Sequence, residues 1–148
     1  MPYSLAVDYT AETPVDSEHC PLEIETEITN GAVAEGEPVE IVARLRNTQD
    51  MGQPMTLMIV GIPGGLEPRH EQLKEMVKEG KFDFYEVIGR EVAIYYRDLA
   101  PNAEHEIAIS CIAAVPGVYT APASRVYLYY TPEEKKWEDP VKATVTAK

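Results

Sequence analysis

The residues with the strongest capacity for chemistry are three histidines and two cysteines: His19, His70, His105, Cys20 and Cys111. His19 and Cys20 are neighbours, and adjacent side chains on a strand point to opposite faces. They therefore suit neither a Cys–His dyad nor a tetrahedral zinc site. The sequence contains no Cys-x-x-Cys pair and no Cys/His spacing typical of zinc modules. We predict no catalytic residue, no metal site and no cofactor.

Two other patterns resemble chemical motifs only superficially. The glycine-rich residues 61–65 lack the Lys-Ser/Thr continuation of a phosphate-binding loop, so we interpret them as a tight turn. Glu23, Glu25 and Glu27 alternate along a predicted strand, at about 6–7 Å from one to the next. That spacing is typical of a solvated strand face rather than of a catalytic pair. The sequence indicates a protein that binds rather than catalyses.

Length and charge narrow the possible partners. The chain has 148 residues and a formal net charge of −12, which suits one domain and disfavours nucleic acid or anionic lipid as a partner. No apolar run reaches the roughly 20 residues that span a bilayer. We expect no small-molecule substrate. We expect membrane association only through an anchor outside this sequence. The chain is either a cytosolic protein or a piece of a longer secreted chain. Because the sequence begins inside a strand pattern, we expect the second.

Strand patterns follow one another along the chain. The clearest covers residues 22–28, where apolar residues alternate with glutamates and the turn Asn30-Gly31 follows. We expect Arg44 and Arg46 on the next strand to pair with those glutamates across the solvent face. Residues 133–140 are predicted to form a charged loop. Further strands are predicted at residues 39–45, 55–60, 82–88, 91–96, 107–112, 125–130 and 141–147.

One helix is predicted, at residues 68–79. Pro68 suits the first helical turn, where its missing N–H would be unpaired anyway. Gly80 is suited to the positive φ that follows a helix end. The apolar stripe that would face the core consists of Leu73, Met76 and Val77.

Eight or nine short strands with a single helix are typical of an all-β, antiparallel immunoglobulin-like sandwich. We predict a sandwich domain at residues 20–148, preceded by a leading strand and linker at residues 1–19. The leading pattern fits the last strand of a preceding domain as well as the first strand of this one. Its alternating apolar residues are Tyr3, Leu5, Val7 and Tyr9.

Two groups of residues have alternative interpretations. Cys20 and Cys111 form a disulfide if the chain is extracellular, or they are free thiols, with Cys111 buried on an apolar strand. The tyrosines of the later strands either pack on the core or form a partner-binding surface, where tyrosine is enriched. These tyrosines are Tyr95, Tyr96, Tyr127, Tyr129 and Tyr130.

A connected series of elements resembles a known family. An apolar strand at residues 55–60 precedes the breaker Gly-Ile-Pro-Gly-Gly-Leu-Glu-Pro at 61–68, the short helix, the hairpin through 92–96 and the strand Ser-Arg-Val-Tyr-Leu-Tyr-Tyr at 124–130. In this order and spacing, the sequence from Leu22 onward resembles the C-terminal receptor-binding domain of the α-macroglobulin family, and its bacterial branch in particular.

The resemblance implies a function. α-Macroglobulins are broad-spectrum protease inhibitors that trap a protease after it cuts a bait segment, and many carry a Cys-x-x-Gln thioester. Here Glu23 follows Cys20 at the third position and Ala114 follows Cys111, so neither cysteine makes that motif. The resemblance thus implies a non-catalytic C-terminal module of a longer periplasmic or extracellular chain. Its partners would be other domains of that chain, and target proteases only indirectly.

The resemblance also singles out one side of the helix. In animal members two helix lysines engage a clearance receptor; Lys74 matches the second, and His70 stands at the first. His70, Lys74 and Lys78 are therefore candidate partner-binding residues, for example toward a neighbouring thioester domain, and ordinary solvated charge is the alternative. The rival function is a free-standing immunoglobulin-like adhesion module. Generic repeats of that kind usually lack the helix, which distinguishes the two.

Overall fold

The computed structural model describes residue 14 and residues 16–147. The predicted leading strand at residues 3–9 lies outside the described residues. The described part contains twelve strands and one helix. In chain order these are β1 (Leu22–Ile28), β2 (Ala32–Ala34), β3 (Pro38–Asn47), β4 (Thr56–Gly61), β5 (Leu66–Pro68), α1 (His70–Lys78), β6 (Phe84–Ile88), β7 (Glu91–Tyr96), β8 (Glu104–Ala113), β9 (Gly117–Thr120), β10 (Ser124–Leu128), β11 (Lys135–Glu138) and β12 (Lys142–Thr146).

The strands form three sheets. The five-stranded sheet has the order β11-β10-β4-β7-β6, and the four-stranded sheet has the order β1-β3-β8-β5. A small third sheet has the order β9-β12-β2, in which β12 and β2 run parallel. All other pairings between these strands are antiparallel. The predicted all-β, immunoglobulin-like sandwich with one short helix is confirmed.

The core lies between the two larger sheets. Period-2 alternation places one face of each strand inside: in β1, Leu22 and Ile24 are buried whereas Glu23 and Glu25 are exposed, as predicted. The largest fully buried side chains are Leu22, Ile41, Leu45, Met58, Ile62, Leu73, Ile94, Ile107, Ile109, Val60, Val92 and Val126. Strand β4 is buried along its whole length, which confirms the prediction of a strand covered on both faces.

The helix begins later than predicted. Arg69 is the N-cap and the first helical residue is His70. Placing Pro68 in the first helical turn was therefore wrong. Pro68 pairs with Cys111 in β5, an edge strand, where a residue without an N–H is tolerated. The predicted end is confirmed, because Gly80 has φ +79° and its N–H donates to the Val77 carbonyl at 3.0 Å.

Helix α1 covers the open side of the sandwich between β6 and β8. Leu73 and Met76 are buried in the core and Val77 packs against it, as the apolar stripe predicted. On the β8 side, the Arg69 N–H donates to the Ser110 carbonyl at 2.9 Å. The side chain of Gln72 bonds the same strand twice, at Ala108 and Ser110. The helix thus continues along the β8 edge from the point where β5 ends.

Several strand boundaries differ from the prediction. The predicted loop at residues 133–140 was wrong, because Lys135–Glu138 is strand β11 and pairs with β10. The strand predicted at 125–130 ends at Leu128, so Tyr129 and Tyr130 lie in a turn. Strands β2, β5 and β9 are each three or four residues long and were not predicted. Such short strands carry too little alternation to be recognised.

The glycine-rich residues 61–65 form the predicted turn, and two of the glycines are required by close packing. A Cβ atom at Gly61 would overlap the backbone carbonyl of Pro122, and one at Gly65 would overlap the ring of Tyr119. Neither glycine has a positive φ. The absent side chain, rather than backbone freedom, is therefore what these positions need.

Candidate interaction surface

The structure does not bring the histidines and cysteines together into a site. Cys111 is buried in the core, and Cys20 is half-buried with its Sγ 3.8 Å from the Val126 carbonyl. Both are free thiols. His105 lies against the ring of Tyr96, with 4.8 Å between the ring centroids. Within residue 14 and residues 16–147, no cluster of three or more His, Cys, Asp or Glu side chains is placed to hold a metal ion.

The predicted partner-binding residues lie on one side of α1. His70, Lys74 and Lys78 follow one another at four-residue spacing and are exposed. The ring of His70 is 6.4 Å from that of Tyr85 in β6, and the Tyr85 hydroxyl donates to the His70 carbonyl at 3.5 Å. The helix therefore presents a basic row to solvent while its apolar side packs on the core.

The outer face of the four-stranded sheet carries paired charges. Arg44 Nε is 2.7 Å from a Glu106 carboxylate oxygen and its Nη2 is 3.0 Å from one of Glu27. Arg46 Nη1 is 3.1 Å from Glu23. The cross-strand Glu–Arg pairs that the sequence predicted are confirmed. Such exposed pairs contribute little to stability, so this face is a solvated surface.

An open groove of about 670 Å³ runs between this charged face and β11. Its lining is mainly charged, and Lys136 Nζ lies 3.9 Å from an Asp16 carboxylate oxygen across it. Small-molecule sites are mostly apolar with a few polar groups. The groove therefore does not have the character of a ligand pocket.

The outer face of the five-stranded sheet is different. The strand register aligns Phe84, Tyr95, Leu57 and Tyr127 in one row across four strands. The next row aligns Ala93, Ile59, Arg125 and Trp137. We call this surface the aromatic band; it comprises Phe84, Tyr95, Leu57, Tyr127, Ala93, Ile59, Arg125 and Trp137.

The aromatic band is apolar at its centre and exposed at one end. Leu57 and Ile59 are only 5% and 7% exposed although they point away from the core, because half-buried Tyr95 and Tyr127 pack against them. Toward the sheet edge, Phe84 is 58% exposed, with its ring 5.6 Å from that of Tyr95. Ile88 on the same strand face is 57% exposed. Exposed Glu86 lies between these two side chains on β6, and its carboxylate accepts from the Tyr95 hydroxyl at 3.4 Å. Large exposed apolar side chains beside a buried apolar centre are typical of an interaction site.

Ion pairing holds the polar members of the band in place. Arg125 Nη1 is 2.7 Å from a Glu91 carboxylate oxygen, and both side chains are only about a quarter exposed. The Arg125 guanidinium also lies 5.6 Å from the centre of the Trp137 ring, and Lys135 Nζ lies 5.1 Å from that of Tyr127. Arginine and aromatic residues fixed before binding are typical of interface hot spots.

Of the tyrosines in the later strands, one packs in the core and the others lie on the surface, so each of the two predicted interpretations applies to part of the group. Tyr96 is a core residue at 3% exposure, whereas Tyr95 and Tyr127 belong to the aromatic band. Tyr129 and Tyr130 are exposed in the turn after β10, with edge-to-face rings. Trp137 was missed because charged residues surround it in the sequence. The available signal was the alternation of Lys135 and Trp137 with Lys136, which places the first two on one strand face.

This arrangement defines an immunoglobulin-like β-sandwich with one face suited to protein contact. The sequence matches the family model of the bacterial alpha-2-macroglobulin MG10 domain over residues 10–133, and the chain belongs to that family. No curated protein matches the sequence. No helix among the described residues has the length and hydrophobicity needed to span a bilayer.

Solved structures of bacterial macroglobulins share the fold at low identity. Salmonella alpha-2-macroglobulin reacted with methylamine superposes with TM-score 0.71 at 17% identity, covering 89% of this chain and 10% of that one. Trypsin-activated Escherichia coli alpha-2-macroglobulin superposes with TM-score 0.70 at 14% identity, covering 89% of this chain and 11% of that one. Native E. coli alpha-2-macroglobulin, spanning domain MG7 to the C-terminus, superposes with TM-score 0.64 at 16% identity. The match covers 90% of this chain and 25% of that one. The chain therefore spans about a tenth of the length of the longer relatives.

Proposed function

We propose that this domain is a non-catalytic, C-terminal docking module of an α-macroglobulin-like, broad-spectrum protease inhibitor. It acts by contacting other domains of the same longer chain, and it meets target proteases only indirectly. Its location is the periplasm or the extracellular space. The aromatic band is the observation that carries this proposal, because it supplies an interface on a domain whose other large face is covered with paired charges.

The composition of the band supports protein rather than nucleic acid or a small molecule as the partner. Interface centres are enriched in tyrosine, tryptophan, phenylalanine and arginine and depleted in unpaired charge. The band matches this composition, and its arginine is already neutralised by Glu91. The net charge of −12 opposes binding to nucleic acid. Small-molecule sites are concave pockets, whereas the band is the outer surface of a sheet.

The domain boundary follows from the same proposal. We propose a sandwich domain at residues 20–148, preceded by a leading strand and linker at residues 1–19; the family match covers residues 10–133. The alternating apolar pattern of residues 3–9 fits the last strand of a preceding domain as well as the first strand of this one.

The basic row of α1 is proposed as a second, weaker contact. His70, Lys74 and Lys78 are exposed and face away from the core. They would meet an acidic rim on a neighbouring domain, with a contribution that falls as salt screens it. In the parent chain, by which we mean the longer chain carrying this domain, Lys74→Glu with Lys78→Glu should weaken the contact at low salt. Equal contact strength at low salt for this variant and the parent would remove the row from the interface.

The rival function is a free-standing adhesion module. The helix that distinguishes the two is present as α1, and it supplies Leu73 and Met76 to the core. It is therefore an integral part of the sandwich rather than an insertion. This supports the macroglobulin module.

The deciding experiment is to measure the mass of the native gene product in the source cells by peptide mapping. A product several times larger that carries this segment is expected, and trypsin should then cleave and compact it on a native gel. The matched variants are Tyr127→Ala in the aromatic band and Val118→Ala on β9. Only the first should alter the native mobility of the parent chain. A native product of only this size would refute the inhibitor function.

A further inference from the structure

Strand β6 ends the five-stranded sheet with a free edge. The two-residue loop Gly89-Arg90 joins it to β7, and Ile88 stands opposite Glu91. The pair that closes such a loop exchanges backbone hydrogen bonds, and bonded pairs then alternate along an antiparallel ladder. The N–H and C=O groups of Tyr85 and Val87 therefore point away from β7. They make no hydrogen bond to any part of the chain that the structure describes.

The other outer edges of the two larger sheets carry groups that obstruct strand pairing. At β11, Asp16 and Ser17 bond the backbone of the strand. At β1, the Thr26 N–H donates to a Glu138 carboxylate oxygen. Strand β5 is short and contains Pro68, and proline has no N–H to offer. Strand β6 contains neither proline nor lysine, and an edge left open in this way is typical of a site for strand addition.

A strand added to β6 would have two different faces. Its side chains would alternate as those of β6 do, because paired residues of neighbouring strands lie on the same face of a sheet. On the outer face of β6, Phe84 and Ile88 are more than half exposed. On the inner face, Tyr85 and Val87 pack against the core. The outer side chains of an added strand would thus extend the aromatic band, and its inner side chains would lie beside α1.

The basic row of α1 lies on the side of the helix that is turned to β6. Gln72 bonds β8 on the other side. With 3.6 residues per turn, Lys74 is rotated by about 200° from Gln72 around the helix axis. On the β6 side, the Tyr85 hydroxyl donates to the His70 carbonyl at 3.5 Å. Carboxylates at the inner positions of an added strand would therefore face His70, Lys74 and Lys78.

The number of free backbone groups indicates where the strand comes from. Two outward residues offer two N–H and two C=O groups, and four net hydrogen bonds correspond to a dissociation constant on the order of 1 mM. A flexible tether supplies an effective concentration in the same range, to which charge and apolar contacts add. A segment of the same chain can therefore occupy the edge, whereas a separate peptide at micromolar concentration would leave it open.

The same chain also offers most of its length for this role. This domain covers only 10% of the Salmonella relative. A second copy of the domain is unsuitable, because pairing β6 with its own copy would place two basic rows side by side. Each copy also carries a net charge of −12, so the two would repel one another.

We propose that the free edge of β6 takes an extended, carboxylate-bearing segment of the parent chain, from outside this domain, as an additional strand. The inference rests on the proposed function and gives the form of one of its contacts. The backbone of the segment bonds Tyr85 and Val87. Its inner carboxylates face the basic row, and its outer apolar side chains pack beside Phe84 and Ile88.

Amide hydrogen exchange in the parent chain, resolved to single residues by fragmentation mass spectrometry, tests strand addition without any substitution. The Glu86 and Ile88 amides bond β7 and serve as internal references. The Tyr85 and Val87 amides should exchange about tenfold or more slowly than unprotected amides. Exchange of both at the unprotected rate would overturn the inference. The proposed function would stand, since the aromatic band is a separate surface.

Charge reversal tests the chemistry of the segment. In the parent chain at low salt, Lys74→Glu with Lys78→Glu should speed exchange of the Tyr85 and Val87 amides, because the carboxylates of the segment would then be repelled. Lys142→Glu on β12 changes the same kind of exposed charge elsewhere and should have no effect. Unchanged exchange in the doubly reversed variant would overturn the assignment of carboxylates to the segment.

Photo-crosslinking identifies the source. p-Benzoylphenylalanine replaces Glu86, and parent chains with light and heavy isotopes are mixed before irradiation. Links should join position 86 to a segment outside this domain within one chain. Val87→Pro removes an outward N–H and should lower the yield about fivefold or more, whereas Val87→Ala keeps the N–H and should retain the yield. Links between two chains, no link within the chain, or equal yields in the two backgrounds would overturn the inference. The mass of the native gene product decides the proposed function separately.

Discussion

Gln72 and Ser110 are joined as residues of neighbouring strands would be, although Gln72 belongs to a helix. The Ser110 N–H donates to Gln72 Oε1 at 3.0 Å, and Gln72 Nε2 donates to the Ala108 carbonyl at 2.7 Å. One side chain thus supplies the donor and the acceptor that a strand would offer to β8. The helix closes the sheet edge as well as covering the core.

Gln72→Ala is expected to lower the free energy of unfolding by about 1–3 kcal/mol, because it leaves partly buried backbone groups of Ala108 and Ser110 without partners. Equilibrium urea unfolding followed by Trp137 fluorescence measures this. The control is Glu75→Ala on the exposed side of the same helix, expected to change stability by no more than about 0.5 kcal/mol. Equal effects of the two substitutions would mean that the edge bonds contribute nothing.

Gly61→Ala should destabilise the domain by at least about 2 kcal/mol, since its new Cβ would overlap the rigid backbone of Pro122. The matched variant is Gly31→Ala, whose Cβ would lie 3.6 Å from the nearest atom, the Lys142 carbonyl oxygen. That variant should be near neutral or slightly stabilising. Thermal unfolding of both measures the difference, and similar melting temperatures would contradict the packing explanation.

Burial lowers the pKa of His105, whose ring lies against Tyr96. The unfolded chain, with a histidine pKa of about 6.5, therefore takes up this proton more readily than the folded one. This group's contribution to stability is thus present above about pH 6.5 and falls as pH decreases through that value toward the folded pKa. Charged groups that line the groove beside His105 are Asp16, Glu23, Glu25, Arg44, Arg46, Glu104, Glu106 and Lys136.

His105→Phe keeps a ring against Tyr96 and removes the titrating group. Denaturant unfolding at pH 7.5 and pH 5.5 should show a smaller acid-induced loss of stability in this variant than in the parent. The carboxylates are common to both proteins, so the difference isolates His105. Identical losses would show that His105 is equally basic in the folded and unfolded states.

Burial raises the pKa of the Cys111 thiol to about 12 and also raises that of half-buried Cys20. Because the thiolate is the reactive form, Cys111 should not react with an aromatic disulfide reagent at pH 8 until the protein unfolds. Cys20 should react slowly in the folded protein. The Cys20→Ser variant should lack the slow reaction of the folded protein, and the Cys111→Ala variant should lack the reaction that appears on unfolding. Fewer than two thiols per unfolded, unreduced chain would indicate a disulfide instead.

The predictability of the fold follows the length and regularity of each element. Strand β1 was predicted correctly because its seven residues alternate cleanly between apolar and polar. The end of α1 was predicted correctly because Gly80 suits the positive φ that follows a helix end. Its start was misplaced because Pro68 suits a helix start and an edge strand equally. The choice depends on Cys111, 43 positions away in the sequence, with which Pro68 pairs. Such pairing partners leave no local signal.

The aromatic band was only half predictable. Period-2 reasoning places Tyr95 and Tyr127 on one face of their strands, but the face that packs on the core is fixed by the partner sheet. The candidate residues chosen by resemblance, His70, Lys74 and Lys78, lie on the helix rather than in the band. Neither the register of five strands nor the stacking of Arg125 on Trp137 exists before the sheet is assembled.

Side chains take part in closing three of the sheet edges in the described domain. Gln72 covers β8, a Glu138 carboxylate accepts from the Thr26 N–H of β1 at 3.1 Å, and Asp16 covers β11. Each of these side chains is removable by one mutation that leaves the core intact. In a long chain of tethered sandwiches, an edge opened in this way would meet neighbouring strands at high local concentration. The hazard for such a protein is then misassembly between its own domains during synthesis, in addition to the lower stability of the individual domain.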